Sequence, residues 1–244
     1  MKLDHKRTVL VGLAFLSICA FWQMYDNIIP LILTNTFHLD ETISGAIMAA
    51  DNVLALFLLP FFGALSDRTN TKIGRRMPFI LGGTAAAVIL MNLLPLFDNG
   101  YANGASTGKL AMFVVTLGLL LVAMGTYRSP AVALMPDVTP KPIRSRANAI
   151  INLMGAVGGV ISLILISTLV PKNGKPNYLP IFLIVALVMV AAVLLLLWKI
   201  KENPLREERE KIDRDLDIAE GTVEETQTVN APIPPEVKRS LILI

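Results

Sequence analysis

Long uninterrupted runs of apolar residues alternate with short polar segments from the first residues to about position 198. A helix needs ~20 mostly apolar residues to cross the ~30 Å hydrocarbon layer of a bilayer. Six stretches qualify: 9–33, 43–65, 78–97, 109–135, 148–170 and 179–198. The runs are continuous and rich in Leu, Ala and Gly, whereas barrel strands alternate inward and outward positions; helices are therefore predicted. Pro30, Pro60, Pro95 and Pro130, and the pair Gly158 and Gly159, interrupt several spans. Such breaks are tolerated where neighbouring helices or a cavity satisfy the loosened backbone. Beyond 198 the pattern changes. Residues 199–236 are charged and end in Pro232, Pro234 and Pro235, which reads as a central loop with a helical part over 206–217. Residues 237–244 join a basic flank to an apolar run and read as the start of a seventh span. The chain is then the N-terminal half of a protein about twice as long; a tail whose last residues dip into the membrane surface is the alternative.

Composition sharpens this picture. Of 244 residues, 54% are hydrophobic and 17% charged, with Cys19 the only cysteine; soluble domains average ~25% charged. Disordered, collagen-like and disulfide-stapled classes are excluded. The basic balance does not point to nucleic acid, because Lys and Arg sit in short loops between apolar runs. Their partner is the lipid bilayer. Counted over alternate loops, one side carries 18 Lys/Arg and the other 3. That asymmetry predicts a multi-pass protein of the cell membrane with both ends of the bundle in the cytoplasm. The first apolar run outlasts the 7–15 residues of a signal peptide, and no small-residue cleavage site follows it.

The segment from Gly63 to Ile80 is the most specific. Asp67 closes one span, and Arg75 and Arg76 precede the next within a turn that Gly74 permits. Such a cluster ties helix ends together and offers a carboxylate to the positive N-terminus of another helix. A plain basic anchor without a switching role remains the alternative. G-x-L-S-D-R, five residues, then G-R-R-x-P-F-I resembles the cytoplasmic signature of the major facilitator superfamily. The long spacing resembles the sucrose/glycoside–proton symporters and the related glycoside–pentoside–hexuronide cation symporters. A second stretch, from Pro130 to Asp137 and then Arg144 to Ala149, is similar to that branch's P-x-x-A-L-x-x-D and R-x-x-A-N-A. The resemblance implies an all-α membrane protein whose six-span N-terminal bundle rocks against a second bundle around a substrate path. It makes Asp67, Arg68, Gly74, Arg75 and Arg76 gate residues that close the cytoplasmic side. Asp137 and Arg146 would form a second latch, and the helix facing Asp67 would lie in the other half.

An ionisable side chain within a span costs ~2.5–3.5 kcal/mol on insertion scales, and Asp26, Asp51 and Arg128 each carry that cost. Trp22, Gln23, Asp26 and Asn27 share one broad face of the first span by helical period. An aromatic surface, amides and a carboxylate are the equipment of a sugar site; an aromatic belt of Trp22 and Tyr25 near the outer interface is the other reading. Asp26 lies ~10 Å and Asp51 ~12 Å inside the outer ends of their helices at 1.5 Å per residue. At comparable depth the two carboxylates can share a cavity. A buried carboxyl beside another is the kind of group that exchanges a proton near neutral pH, so Asp51, with Asp26, is the candidate for proton coupling. Arg128 pairs with a carboxylate, bonds substrate hydroxyls, or reaches the cytoplasmic headgroups. Tyr127, Asn92 and Asn152 are weaker candidates. Gly155 and Gly159 form a small-xxx-small pair suited to close helix packing.

Departures from the family narrow the expectation. Melibiose-type relatives hold sodium with two carboxylates one turn apart on the second span, but Ile47 and Ala55 flank Asp51 at that spacing, which favours protons. Plant sucrose relatives carry an Asp on the fourth span that this chain lacks, and Arg128 precedes their Arg position by about one turn. The predicted function is proton-coupled sugar or glycoside symport by alternating access. The missing C-terminal half, or a second copy of the chain, is the expected partner. A same-fold exporter and a non-transporting receptor or assembly module are the alternatives. Enzyme chemistry is disfavoured, since His5 and His38 lie outside the spans and no metal-ligand cluster or phosphate loop appears; no metal or cofactor is expected.

Overall fold

The computed structural model describes residues 3–102, 104, 106–171 and 176–219. Lys172 and Lys175 of the charge count, the prolines at 232–235 and the expected seventh span at 237–244 lie outside the described residues. Among the described residues every regular element is helical. The helices are α1 (His5–Leu31), α2 (Glu41–Arg68), α3 (Met77–Ala102), α4 (Thr107–Val138), α5 (Arg144–Leu169), α6 (Leu179–Lys199) and α7 (Glu202–Ala219). The first six are long and apolar enough to cross a membrane, as expected. The helical part of the central loop is longer than the 206–217 predicted, because Glu202 and Asn203 find partners that no local pattern announces.

Local chemistry sets several helix ends. Asp4 caps α1 by accepting the Arg7 N–H at 3.1 Å, and Asp40 caps α2 by accepting the Thr42 N–H at 3.0 Å. The prolines do not break the spans: Pro30, Pro60, Pro95, Pro130 and Pro136 all lie inside continuous helices. Pro30 does withhold the N–H that would bond the Asp26 carbonyl, and two residues later the chain widens into a π-helical turn, Ile32–Thr36. The backbone is thus loosened beside a candidate site residue.

Packing centres on α1, which lies against α5 and α6, while α3 packs on α4 and α6, and α2 leans on α4. The α1–α5 crossing is tight because Gly155 and Gly158 face α1: a Cβ on Gly158 would overlap the Leu16 carbonyl, and one on Gly155 would meet the Cys19 sulfur at 2.9 Å. Gly159, paired with Gly155 by sequence spacing, has only the Gln23 Oε1 at 3.6 Å; the close partner is one residue earlier. Buried hydrogen bonds lock the same region, from Ser162 to the Ala20 carbonyl (2.6 Å) and between Ser17 and Tyr127 (2.6 Å). Helix α2 is different. Only Ser44 and Ser66 are buried along it, and Leu56 and Phe57 are 70% and 68% exposed, a surface that suits lipid or another helical bundle rather than water.

The basic segments gather at one end of the bundle. Arg7, the 66–77 turn and the 137–147 link all meet α7 there. The opposite end holds an aromatic cluster in which the Phe37 ring lies 4.5 Å from Tyr101 and 4.8 Å from Phe113.

Candidate functional site

A cavity of about 450 Å³ opens between α1, α2 and α4, lined by Phe15, Ile18, Cys19, Trp22, Asp26, Asp51, Asn52, Arg128 and Val132. Trp22, Asp26, Asp51 and Arg128, singled out on three separate spans, therefore share one space. Helical period explains the α1 wall, since positions 15, 18, 19, 22 and 26 repeat every three or four residues. Trp22 stands edge-on to Phe21 and Tyr25, with ring centroids 5.4 and 5.3 Å apart. The Arg128 guanidinium lies 5.5 Å from the Trp22 centroid, a cation–π contact worth about 0.5–2 kcal/mol. It is not ion-paired with either carboxylate. Trp22, Asp51 and Arg128 also border a small apolar void of about 20 Å³ behind the cavity, beside Leu58 and Gly125. Trp22 Nε1, the Tyr25 hydroxyl and Asp51 Oδ1 are buried with no hydrogen-bond partner from the protein. Native structures seldom leave such atoms unmet, so this cluster has capacity for a polar ligand, water or proton.

Gln23 and Asn27 do not line the cavity. Gln23 turns toward Gly159 of α5, and the Asn27 amide donates to the Gln23 carbonyl at 2.7 Å. Tyr127 is fully buried and shares its hydroxyl with Ser17 and the Ala14 carbonyl (3.1 Å), a packing role. The Asn92 amide bonds its own helix at Val88 (2.7 Å), and Asn152 is exposed. Cys19 also lines the cavity; no motif marks it in the sequence, and its only signal is helical spacing, one turn before Trp22 and one turn beyond Phe15.

The second constellation sits at the basic end. Arg75 Nη2 meets Asp137 Oδ1 at 2.6 Å and Arg75 Nε meets Oδ2 at 3.2 Å, while Arg76 Nε reaches the same Oδ2 at 2.8 Å. Arg76 also donates to Asp67 and to the Ser66 hydroxyl, and its Nη1 reaches the Gly63 carbonyl at 3.3 Å. Arg75 stands 3.9 Å from Asp67. Burial opposes the charge on Arg75, but the hydrogen bond and charge of Asp137, with Asp67 and Glu202 beyond, hold its guanidinium above the usual value. Asp137 is thus joined to the 66–77 turn, not to Arg146, which is exposed on the first turn of α5. The two expected latches are one network, because the end of α4 lies directly over the turn. Arg68 ends α2 with its side chain exposed. Gly74 has φ +129°, a conformation that disfavours any side chain, and the Thr71 hydroxyl donates to its carbonyl.

The chain is thus an all-helical bundle of six apolar, membrane-length helices with a polar cavity among them and an ionic cluster at its basic end. The Major Facilitator Superfamily profile matches residues 11–241, and the chain belongs to that family. It is similar to the Arabidopsis thaliana sucrose transport proteins SUC3, 31% identical over 140 residues (52% of this chain), and SUC4, 36% identical over 114 residues (43% of this chain). It is also 31% identical over 169 residues, 65% of this chain, to the human proton-associated sugar transporter A. The chain spans less than a quarter of these relatives' lengths, the matched stretches being 23%, 22% and 23% of them.

Proposed function

We propose that this bundle belongs to a proton-coupled symporter of sugars or glycosides that works by alternating access. The observation that carries the reading is the cavity uniting Trp22, Asp26, Asp51 and Arg128 from three helices, with an unpartnered Asp51 oxygen at its wall. The chain's similarity to sucrose transport proteins and to a proton-associated sugar transporter supports the cargo and the driving ion. Trp22 provides the stacking surface for a pyranose ring, Arg128 and Asp26 its hydrogen bonds, and Asp51 the exchangeable proton. The basic end faces the cytoplasm across the plasma membrane, consistent with the Lys/Arg asymmetry. There, Asp67, Arg75, Arg76 and Asp137 close the cytoplasmic mouth while the cavity faces outward, and a second six-span bundle forms the opposite wall.

The test uses the intact protein in vesicles. Asp51→Asn is expected to abolish accumulation of radiolabelled sucrose driven by a proton gradient while sucrose counterflow persists. Undiminished accumulation would remove Asp51 from coupling. Sucrose should also slow alkylation of Cys19, which lines the same cavity; unaltered alkylation at saturating sugar would move the substrate elsewhere.

A further inference from the structure

Helix α3 begins at Met77 directly after two arginines, and neither can cap a helix N-terminus, since a cap needs a hydrogen-bond acceptor. The acceptor comes from the start of the central loop, 125 residues further along the chain. Glu202, only 1% exposed, receives the backbone N–H groups of Arg75 (2.9 Å), Arg76 (3.0 Å) and Met77 (3.1 Å). Its charge also meets the positive end of the α3 dipole. Asn203 beside it donates to the Thr71 carbonyl at 3.0 Å and the Lys72 carbonyl at 3.3 Å. The turn from Thr71 to Met77 is therefore gripped on both flanks by the first residues of α7. Gly74 completes the fit, because a Cβ there would collide with the Glu202 side chain.

These contacts hold the backbone from which both guanidiniums depart toward Asp137 and Asp67. We infer that Glu202 is the positioning residue of the Arg75/Arg76 gate, acting through the α3 N-terminus rather than by touching cargo, so that the central loop governs how firmly the cytoplasmic mouth closes. The inference rests on the gate reading above. Losing the carboxylate leaves three backbone donors of the turn without their acceptor, and the turn relaxes away from the geometry that aims two arginines at one aspartate.

The experiment reads Cys19 in the intact transporter, with any other cysteines changed to Ser. Membrane-impermeant maleimide is added to right-side-out or inside-out vesicles. Glu202→Ala and Asp137→Asn are both expected to speed labelling from the cytoplasmic side several-fold and to slow it from outside. Glu202→Gln, which keeps one acceptor oxygen, should fall between Glu202→Ala and the unmodified protein. Gly74→Ala should produce the same reciprocal shift by displacing Glu202, and combining it with Glu202→Ala should add little, as for two changes acting on one contact. A shift with Asp137→Asn but none with Glu202→Ala or Gly74→Ala overturns the positioning role and leaves the gate standing. No shift with any variant overturns the gate and the inference together. Faster labelling from both sides with Glu202→Ala marks a loosened fold and also overturns the positioning role.

Discussion

Trp22 carries a guanidinium over its face, while its Nε1 and an Asp51 carboxylate oxygen have no protein partner; on the proposed function a sugar hydroxyl and a proton would meet them. Taken on the scale of aromatic pairs, about 0.5–1.5 kcal/mol, a stacking contact of a sugar ring with Trp22 contributes roughly 2- to 12-fold in affinity at 1.4 kcal/mol per decade. Trp22→Ala is accordingly expected to raise the sucrose KM by about that factor while Trp22→Phe keeps most of the affinity. Initial-rate uptake measures both, and an unchanged KM in Trp22→Ala would take the ring out of the site. Residue by residue, the sequence announced the costly charges and the aromatic but not their company. Trp22 and Gln23 are neighbours, about 100° apart around the helix, and only the positions of α5 and α4 decide that Gln23 turns to Gly159 while Trp22 meets Arg128.

Elements were legible to within a few residues because a span's length is set by the bilayer, not by its neighbours. Their contacts were not. The spacing of Gly155 and Gly159 suggested a shared contact face, yet the overlap with α1 falls at Gly158. Gly158→Ala should therefore destabilise the bundle by about 1–3 kcal/mol through overpacking, and Gly159→Ala should be nearly silent. Thermal unfolding in detergent distinguishes them, and equal losses would contradict the crossing geometry. At the start of α2, the hydroxyl and N–H of Thr42 hold the Asp40 carboxyl below the usual range. Its capping contribution is thus complete above the ordinary carboxylate value and disappears as pH falls through the lowered one. Asp40→Asn keeps a capping side chain and should remove this acid sensitivity, read as amide exchange at Thr42 across the acid range.

For the molecule as a whole, α7 is the tie. Beyond Glu202, its Glu208 meets Arg7 at 3.3 Å, its Arg209 donates to the Asp137 carbonyl at 3.2 Å, and its Asp213 accepts the Lys141 N–H at 2.9 Å. The ends of α1, α3, α4 and α5 are thereby bound to one helix. The ties are unequal. The Arg7 and Glu208 side chains are 32% and 53% exposed, so solvent screening leaves that pair under ~1 kcal/mol. Asp213 is 4% exposed and also lies 3.5 Å from Arg144 and 3.6 Å from Arg209; removing it leaves the part-buried Lys141 N–H and both guanidiniums without this acceptor, at a cost of about 1–3 kcal/mol. Asp213→Ala should expose the 139–143 link to protease, whereas Arg7→Ala should not. Equal protection in both would mean that α7 is not what holds this end together.

Apolar length, charge alternation and the 63–80 motif are properties of the chain itself. They established six membrane helices, the side on which the basic loops gather, and the family. Which charges meet was decided only by folding. Asp137 and Arg76 are separated by 61 residues, and Glu202 and Arg75 by 127; contacts at such distances depend on how helices cross, and hydrophobic pattern says nothing of crossing. For the same reason the sequence reads the charged 199–236 segment only as a central loop with a helical part, whereas folding lays α7 against the ends of α1, α3, α4 and α5.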